Sequence, residues 1–476
     1  VCVVRATNAD GAYGDYSALV ALNGAENIPA NELIDPTLTT PRRAPVALVG
    51  SLNTTSRFLY AIGGDAGGPS TALASVEAVG LSPFGDPKGT FVRRPLDLPA
   101  PRTLAQGVTL GRFLYVIGGN SGAGAISSGY RAEVLRVEDA PQITGDLTIA
   151  LEPDGVGPGL WYYRVSAVMD AADADNPGGE TLPSEPLPIT VPVWAPEDFQ
   201  ITLRWTPVPG AASYRVYRSA AADDPLSEVG LIGTTSAGSP ASTADDVLAL
   251  TDDGIAAGAA RPRVLGDLGA WIPLPALGTA RADYGIAVAT DPANASVRYV
   301  YALGGVNAAG AELGTFEFLT VTLGADGSHT VGSWTAGADT FGAKRALAGF
   351  ALNSFVTPLI DPFTATWIIA GPGTSPASGA AAYDVSRFQA APVQPGGQLG
   401  DWFGANNQSI DRWAYGAVAV SSQVFLVGGR TSDGIAIDRT SGMMLSAIGD
   451  VTGEIVSLNN TPGNLVTARE YVGSVL

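Results

Sequence analysis

The chain has 476 residues, a formal net charge of -19 and a sequence pI near 4.4. That acidity excludes the basic footprint of nucleic-acid binding and works against docking on anionic membrane surfaces. Cys2 and His329 are the only residues of their types, which excludes an intrachain disulfide framework and the imidazole or thiolate clusters of zinc and copper centres.

The first segment, 1–6, is an apolar strand, followed by a turn at Asn8 to Gly11 and a further strand over 16–22. From residue 43 a pattern sets in that repeats about every fifty residues outside one interruption. A strand of small residues follows an arginine at 43–49, 102–110, 281–288, 345–352, 412–420 and 469–476. An apolar run ending in glycine comes next: RFLYAIGG at 57–64, RFLYVIGG at 112–119, RYVYALGG at 298–305, QVFLVGG at 423–429 and a weaker TWIIAG at 366–371. Third strands are expected at 75–79, 133–137 and 316–321. The fourth is marked by Gly-x-aromatic at Phe91, Trp271, Trp334 and Trp402, with a degenerate copy at Gly453 to Ile455. Four short antiparallel strands per repeat predict one propeller blade each.

The third repeat is interrupted after residue 139. Alternating strands at 161–168, 201–205 and 214–218 are separated by turns at Asn176 to Gly179, Pro207 to Gly210 and Asp252 to Gly254. The repeat resumes at 264. The expected organisation is therefore 1–139 and 264–476 for one domain and 140–263 for an inserted one. The last strand, 469–476, lacks a following partner and the first, 1–6, lacks a preceding one, so the two are expected to pair and close a ring.

The Gly-Gly pairs, arginines and tryptophans together resemble the kelch family of propellers. The resemblance implies an all-β propeller fold with glycines that allow close backbone approach, and the expected closure of the two ends makes it a six-bladed kelch-like β-propeller. The arginines are then expected to fork onto carbonyls or carboxylates between blades, an anion site being the alternative. The departures are Gly371-Pro372, where a proline takes the second glycine's place, and a first repeat without Gly-Gly. Leu-x-Trp at 203–205, Pro209-Gly210-Ala211 and Tyr-x-Val-Tyr at 214–217 resemble a fibronectin type III domain. Its late hairpin precedes its early strands here, so the expectation is an immunoglobulin-like β-sandwich.

Catalytic signals are sparse. His329, in Gly-Ser-His-Thr, reads as an exposed turn residue, and Cys2 as a buried strand residue. The sialidase box is absent and no glycine-rich loop precedes a helix. Asp170, Asp173 and Asp175 crowd one loop and are the candidate metal ligands, for calcium, although Pro177 breaks the EF-hand spacing. Asp245-Asp246 and Asp252-Asp253 read as solvated turns. No other cofactor is expected. The functional expectation is a non-catalytic extracellular or cell-surface protein, structural or adhesive, whose partners are copies of itself or other surface components. The lack of an initiator Met fits a processed, exported chain. The alternative is a propeller that binds or cleaves glycans with carboxylates in its central depression.

Overall fold

The computed structural model describes residues 37–51, 56–83, 85–145, 147–193, 198–237, 248–355, 364–375, 387–404, 410–420, 423–445, 451–457, 465 and 468–472. Cys2 and the expected strands at 1–6 and 16–22 lie outside them, and with them the pairing of 469–476 to 1–6. The fold is all-β and divides into two compact units, Val1–Arg131 with Pro273–Leu476, and Ala132–Ile272.

In the first unit β1 (Val46–Ser51), β2 (Arg57–Ile62), β3 (Val76–Leu81) and β4 (Pro87–Arg93) form a four-stranded antiparallel meander. A second begins with β5 (Gln106–Leu110), β6 (Phe113–Ile117) and β7 (Gly129–Glu133). The chain then builds the second unit from β8 (Thr148–Glu152), β9 (Gly159–Met169), β10 (Leu187–Val191), β11 (Asp198–Trp205), β12 (Ala211–Ser219), β13 (Val229–Ser236) and β14 (Leu248–Asp252). β15 (Ile272–Leu274) completes the second meander beside β7. The third holds β16 (Gly285–Asp291), β17 (Asn294–Leu303), β18 (Thr315–Leu323) and β19 (His329–Thr340). The fourth holds β20 (Gly349–Phe355), β21 (Thr364–Ala370), β22 (Gln389–Pro392) and β23 (Phe403–Gly404). The fifth holds β24 (Gly416–Val420), β25 (Gln423–Val427), β26 (Thr440–Leu445) and β27 (Val451–Ser457).

The apolar runs become second strands because each is covered on both faces. Phe113 to Ile117 and Tyr299 to Leu303 are buried without interruption, where a half-buried strand would alternate. The meanders stack in chain order. Tyr115 and Ile117 share a core with Val300 and Leu319, Tyr301 and Phe316 with Ile368 and Ala370, and Ile369 and Phe388 with Val424 and Leu426. First strands adjoin in succession: β1 contacts β5, β5 contacts β16, β16 contacts β20 and β20 contacts β24. Propeller blades are arranged in this way.

The repeat's cations hold each sheet from inside. Arg102 Nη1 donates to the carbonyls of Gly118 (3.0 Å) and Ser128 (2.9 Å), and Arg281 Nη1 to those of Gly304 (2.9 Å) and Thr315 (3.0 Å). These carbonyls end the second strand and begin the third of the same meander. The expected bridge between blades is thus corrected: the side chain staples its own sheet. The link to the neighbour is made by the main chain instead. The amides of Gly64, Gly119, Gly305 and Gly429 donate to the carbonyls of Arg102, Arg281, Lys344 and Arg469, each in the next repeat. A Cβ on Gly63 would stand 2.6 Å from the Arg102 carbonyl, and one on Gly118 2.6 Å from that of Arg281, so the first glycine of a pair cannot carry a side chain. In the fourth repeat Pro372 has no N–H to donate to its neighbour, which is the physical content of that departure.

Two register differences follow. The buried cation of the first repeat is Arg42, not Arg43. That of the fourth is Lys344, fully buried with Nζ donating to the Arg387 carbonyl at 3.0 Å, not Arg345. The third strand expected at 133–137 is instead Gly129–Glu133, and Val137–Asp139 is a single 3-10 turn.

The second unit contains a four-stranded sheet, in the order β10-β9-β12-β13, and a three-stranded sheet, in the order β14-β11-β8. Alternate side chains of both sheets fill one core: Tyr163, Val165, Tyr214 and Val216 from one, Ile201, Leu203 and Trp205 from the other. The unit is wider than 140–263 because its two connecting segments pair with each other. The Leu135 amide donates to the Asp267 carbonyl at 3.2 Å and that of Gly269 to Glu133 at 2.9 Å.

Candidate functional site

The third residue of each cation segment adopts a left-handed backbone without being glycine: Ala44, Leu104, Asp283, Ala346, Ala414 and Tyr471, with φ between 47° and 57°. Such a conformation costs a non-glycine residue on the order of 1 kcal/mol and persists only where the surroundings enforce it. Here a chain of main-chain hydrogen bonds enforces it. Asp283 N–H donates to the Leu104 carbonyl (3.0 Å), Ala346 to Asp283 (2.8 Å), Ala414 to Ala346 (2.9 Å) and Tyr471 to Ala414 (2.6 Å).

All six residues line one cavity of about 330 Å³, which the first strands of the five meanders continue. Among the described residues each of those strands is the edge of its sheet, and its residues line the cavity. Four of the six left-handed positions are apolar. The other two, Asp283 and Tyr471, face each other, with the phenol oxygen 3.5 Å from Oδ2 of Asp283. Among the described residues that line the cavity, Asp283 is the one charged residue. Burial pushes its carboxyl up to about 6, against the opposing pull of Arg345, the Tyr471 hydroxyl and Arg43. Burial also raises the Tyr471 phenol, and the neighbouring carboxylate of Asp283 adds to this. The Arg43 guanidinium lies over the Tyr471 ring, 4.9 Å from its centroid, and Glu470 pairs with Arg430 at 2.5 Å.

The residues singled out from sequence fall elsewhere. Asp170 Oδ1 accepts the Ala172 amide (2.8 Å), and Asp173 Oδ1 accepts those of Asp175 (3.0 Å) and Asn176 (2.7 Å). These are local turn bonds, and among the described residues no three acidic, His or Cys groups gather as metal ligands would. His329 is not an exposed turn residue. It opens β19, is 8% exposed, and its Nδ1 lies 2.8 Å from the Tyr115 hydroxyl with the Phe113 ring at 4.5 Å. Burial, then Arg131 and Arg112, pushes the imidazole down to about 4. Asp252 is not a solvated turn residue either. It is buried, paired with Arg218 at 2.6 Å and accepting from the Tyr163 hydroxyl at 2.8 Å. Asp245-Asp246 lie outside the described residues.

Sequence reasoning missed Asp283 and Tyr471, each two residues past a repeat arginine. The available signal was that the equivalent positions 44, 104, 346 and 414 hold Ala or Leu. It also missed Glu77 and Glu317, on the third strands. Glu317 accepts from the amides of Gly278 (2.6 Å) and Thr279 (3.0 Å) and from Arg281 (3.0 Å), and Glu77 from those of Thr39 (2.7 Å) and Thr40 (3.0 Å) and from Arg42. The signal was an acid at a constant spacing of 35 or 36 residues after the cation.

No family model matches the chain, and no curated protein matches it. Among solved structures, that of YjhT is similar at 9% identity over 87% of this chain and 98% of that one, with a TM-score of 0.31. The class of protein is therefore defined by the chain's own sheets: an all-β protein of stacked four-stranded antiparallel meanders.

Proposed function

We propose that the chain is a six-bladed kelch-like propeller carrying an inserted immunoglobulin-like sandwich, and that it acts as a non-catalytic structural or adhesive protein of the cell surface. Six blades are supported by the six left-handed positions around one cavity, the sixth supplied by Tyr471. The sandwich is supported by seven strands in sheets of three and four with a shared core. Its hairpin β9–β10 precedes the pair β11–β12, the order of a circularly permuted fibronectin-like domain, and domains tolerate permutation because their ends lie close together.

One observation carries the functional reading. β8 is an edge strand whose first four residues, Thr148 to Leu151, are all exposed. Ile149 is 51% and Leu151 48% exposed, and among the described residues no strand pairs with the outer edge. Soluble proteins guard such edges with charge, proline or bulges. Thr148 to Leu151 carries no charge in a chain of net charge -19, so it is a strip where copies meet without like-charge repulsion. The occupant is the equivalent strand of a second copy, added edge to edge. Light scattering across salt and protein concentration tests this. The wild type should associate more strongly as salt screens its charge, and the double variant Ile149→Lys, Leu151→Lys should stay monomeric. A wild type that is monomeric throughout counts against the proposal. The alternative, a glycan-binding or glycan-cleaving propeller, is favoured by Asp283 in the central cavity. It predicts glycan turnover that Asp283→Asn abolishes.

A further inference from the structure

We propose that β8 pairs with β8 of a second copy about a two-fold axis at Ala150, giving a closed dimer in which Glu152 of each copy meets Arg204 of the other. The proposal rests on the edge-strand reading above and adds its register, its symmetry and its ionic contact. The smaller sheet of the second unit has three strands against four in the other, and β8 is an outer strand of it. β8 pairs with β11 so that Ile149 stands opposite Ile201 and Leu151 opposite Phe199. Residues directly opposite in an antiparallel pair share a face, and Ile201 is buried in the core. Ile149 and Leu151 therefore lie on the core side of the sheet, yet both are half-exposed. The core face runs out uncovered at this edge.

A strand can pair antiparallel with its own copy in several registers, but only the one centred on Ala150 pairs every residue of Thr148–Glu152. That register sets Ile149 of each copy opposite Leu151 of the other, so four apolar side chains close the core face across the axis. On the outer face it sets Glu152 opposite Thr148 of the second copy. Two observations on that face call for this partner. Within one copy Glu152 stands opposite Asp198, a like-charge pair that destabilises a ladder. Arg204 Nη1 donates to Thr148 Oγ1 at 2.9 Å, so a guanidinium already lies at the other end of the same face. The axis brings the guanidinium of one copy beside the acid pair of the other, at both ends of the strand. An unrelated extended peptide would find the same open edge but would bring no cation to Glu152.

Sedimentation equilibrium of the full chain, at one salt concentration, tests the stoichiometry, and oxidative cross-linking tests the register. In a Cys2→Ser background, Ala150→Cys should form a disulfide-linked dimer, because facing Cα atoms of an antiparallel pair lie about 5 Å apart. Thr148→Cys should not, because its two copies would lie about 13 Å apart along the strand. Glu152→Arg and Arg204→Glu should each weaken dimerisation about tenfold, and the double variant should recover it to within about twofold. Glu152→Arg is the sharper arm: it lowers the net negative charge, so simple repulsion between copies predicts tighter association. The double variant keeps the wild-type net charge. A wild type that stays monomeric overturns this proposal and the edge-strand reading together. Association without a preferred Ala150→Cys link, without recovery in the double variant, or into species larger than a dimer overturns this proposal and leaves the edge-strand reading standing.

Discussion

The amide of Tyr471 donates to the carbonyl of Ala414 at 2.6 Å, repeating the bond that Ala414 makes to Ala346 and Ala346 makes to Asp283. Tyr471 shares their left-handed backbone, at φ 52°, although a bulky residue pays more for it than alanine. The Arg469 carbonyl likewise accepts the Gly429 amide, as the Arg102 carbonyl accepts that of Gly64. The segment 468–472 therefore repeats the cation segment of the five meanders. Deleting 469–476 should lower the melting temperature by about 10 °C or more and expose aggregation-prone strand edges. Calorimetry with light scattering reads both, and an unchanged melt would remove the segment from the ring.

Asp283 is expected to destabilise the protein it serves. Its folded carboxyl titrates near 6, above the ordinary 3.8, so the folded state holds the proton more tightly. The stabilising contribution is full below about pH 4 and is lost as pH rises through 6. Asp283→Asn should raise stability by about 1–3 kcal/mol at pH 7.5 and by almost nothing at pH 4. Urea unfolding at the two pH values measures the difference.

His329 has the opposite sign. Its folded value near 4 lies below the ordinary 6.5, so the unfolded chain binds the proton more readily. Its contribution is present above pH 6.5 and is lost as pH falls toward 4. His329→Gln should flatten the decline between those limits by about 1–2 kcal/mol, after allowance for solvent screening. The Asp283→Asn and His329→Gln variants separate two effects that partly cancel in the wild type over the same range.

Arg281 and Glu317 form a buried pair at 3.0 Å, with two carbonyls and two amides satisfied around them. Arg281→Ala leaves Glu317 buried without its counter-charge, held only by the Gly278 and Thr279 amides, and should cost about 3–5 kcal/mol. Arg281→Lys should cost less, because Lys344 fills the equivalent station of the fourth repeat. Denaturant titration of both variants checks the order.

Residues 140–263 hold every described strand of the second unit's two sheets and the Arg261 contact to the Val229 carbonyl at 3.0 Å. Expressed alone, this segment should give a β-rich circular dichroism spectrum and a single cooperative melt. A spectrum without β structure would tie its folding to the rest of the chain.

The sequence by itself determined the first and second strands of the five meanders and their grouping. A run such as RFLYVIGG can only be a strand covered on both faces and ended by a backbone that excludes side chains, as Phe113 to Gly119 turn out to be. Periodicity carries that information because burial and glycine geometry are local properties of each repeat. The direction in which each charge points was not legible. Arg42 and Arg43 are neighbours, as are Lys344 and Arg345, and only the packed strand decides which of each pair is drawn inside onto carbonyls. His329 and Asp252 read as turn residues because the partners that bury them, Tyr115 and Arg218, are 214 and 34 residues away. Asp283 and Tyr471 lie 188 residues apart and meet only because successive meanders bring the same station of each repeat to one cavity. A site made of positions that break a repeat's symmetry becomes visible only after tertiary structure has superimposed the repeats in space.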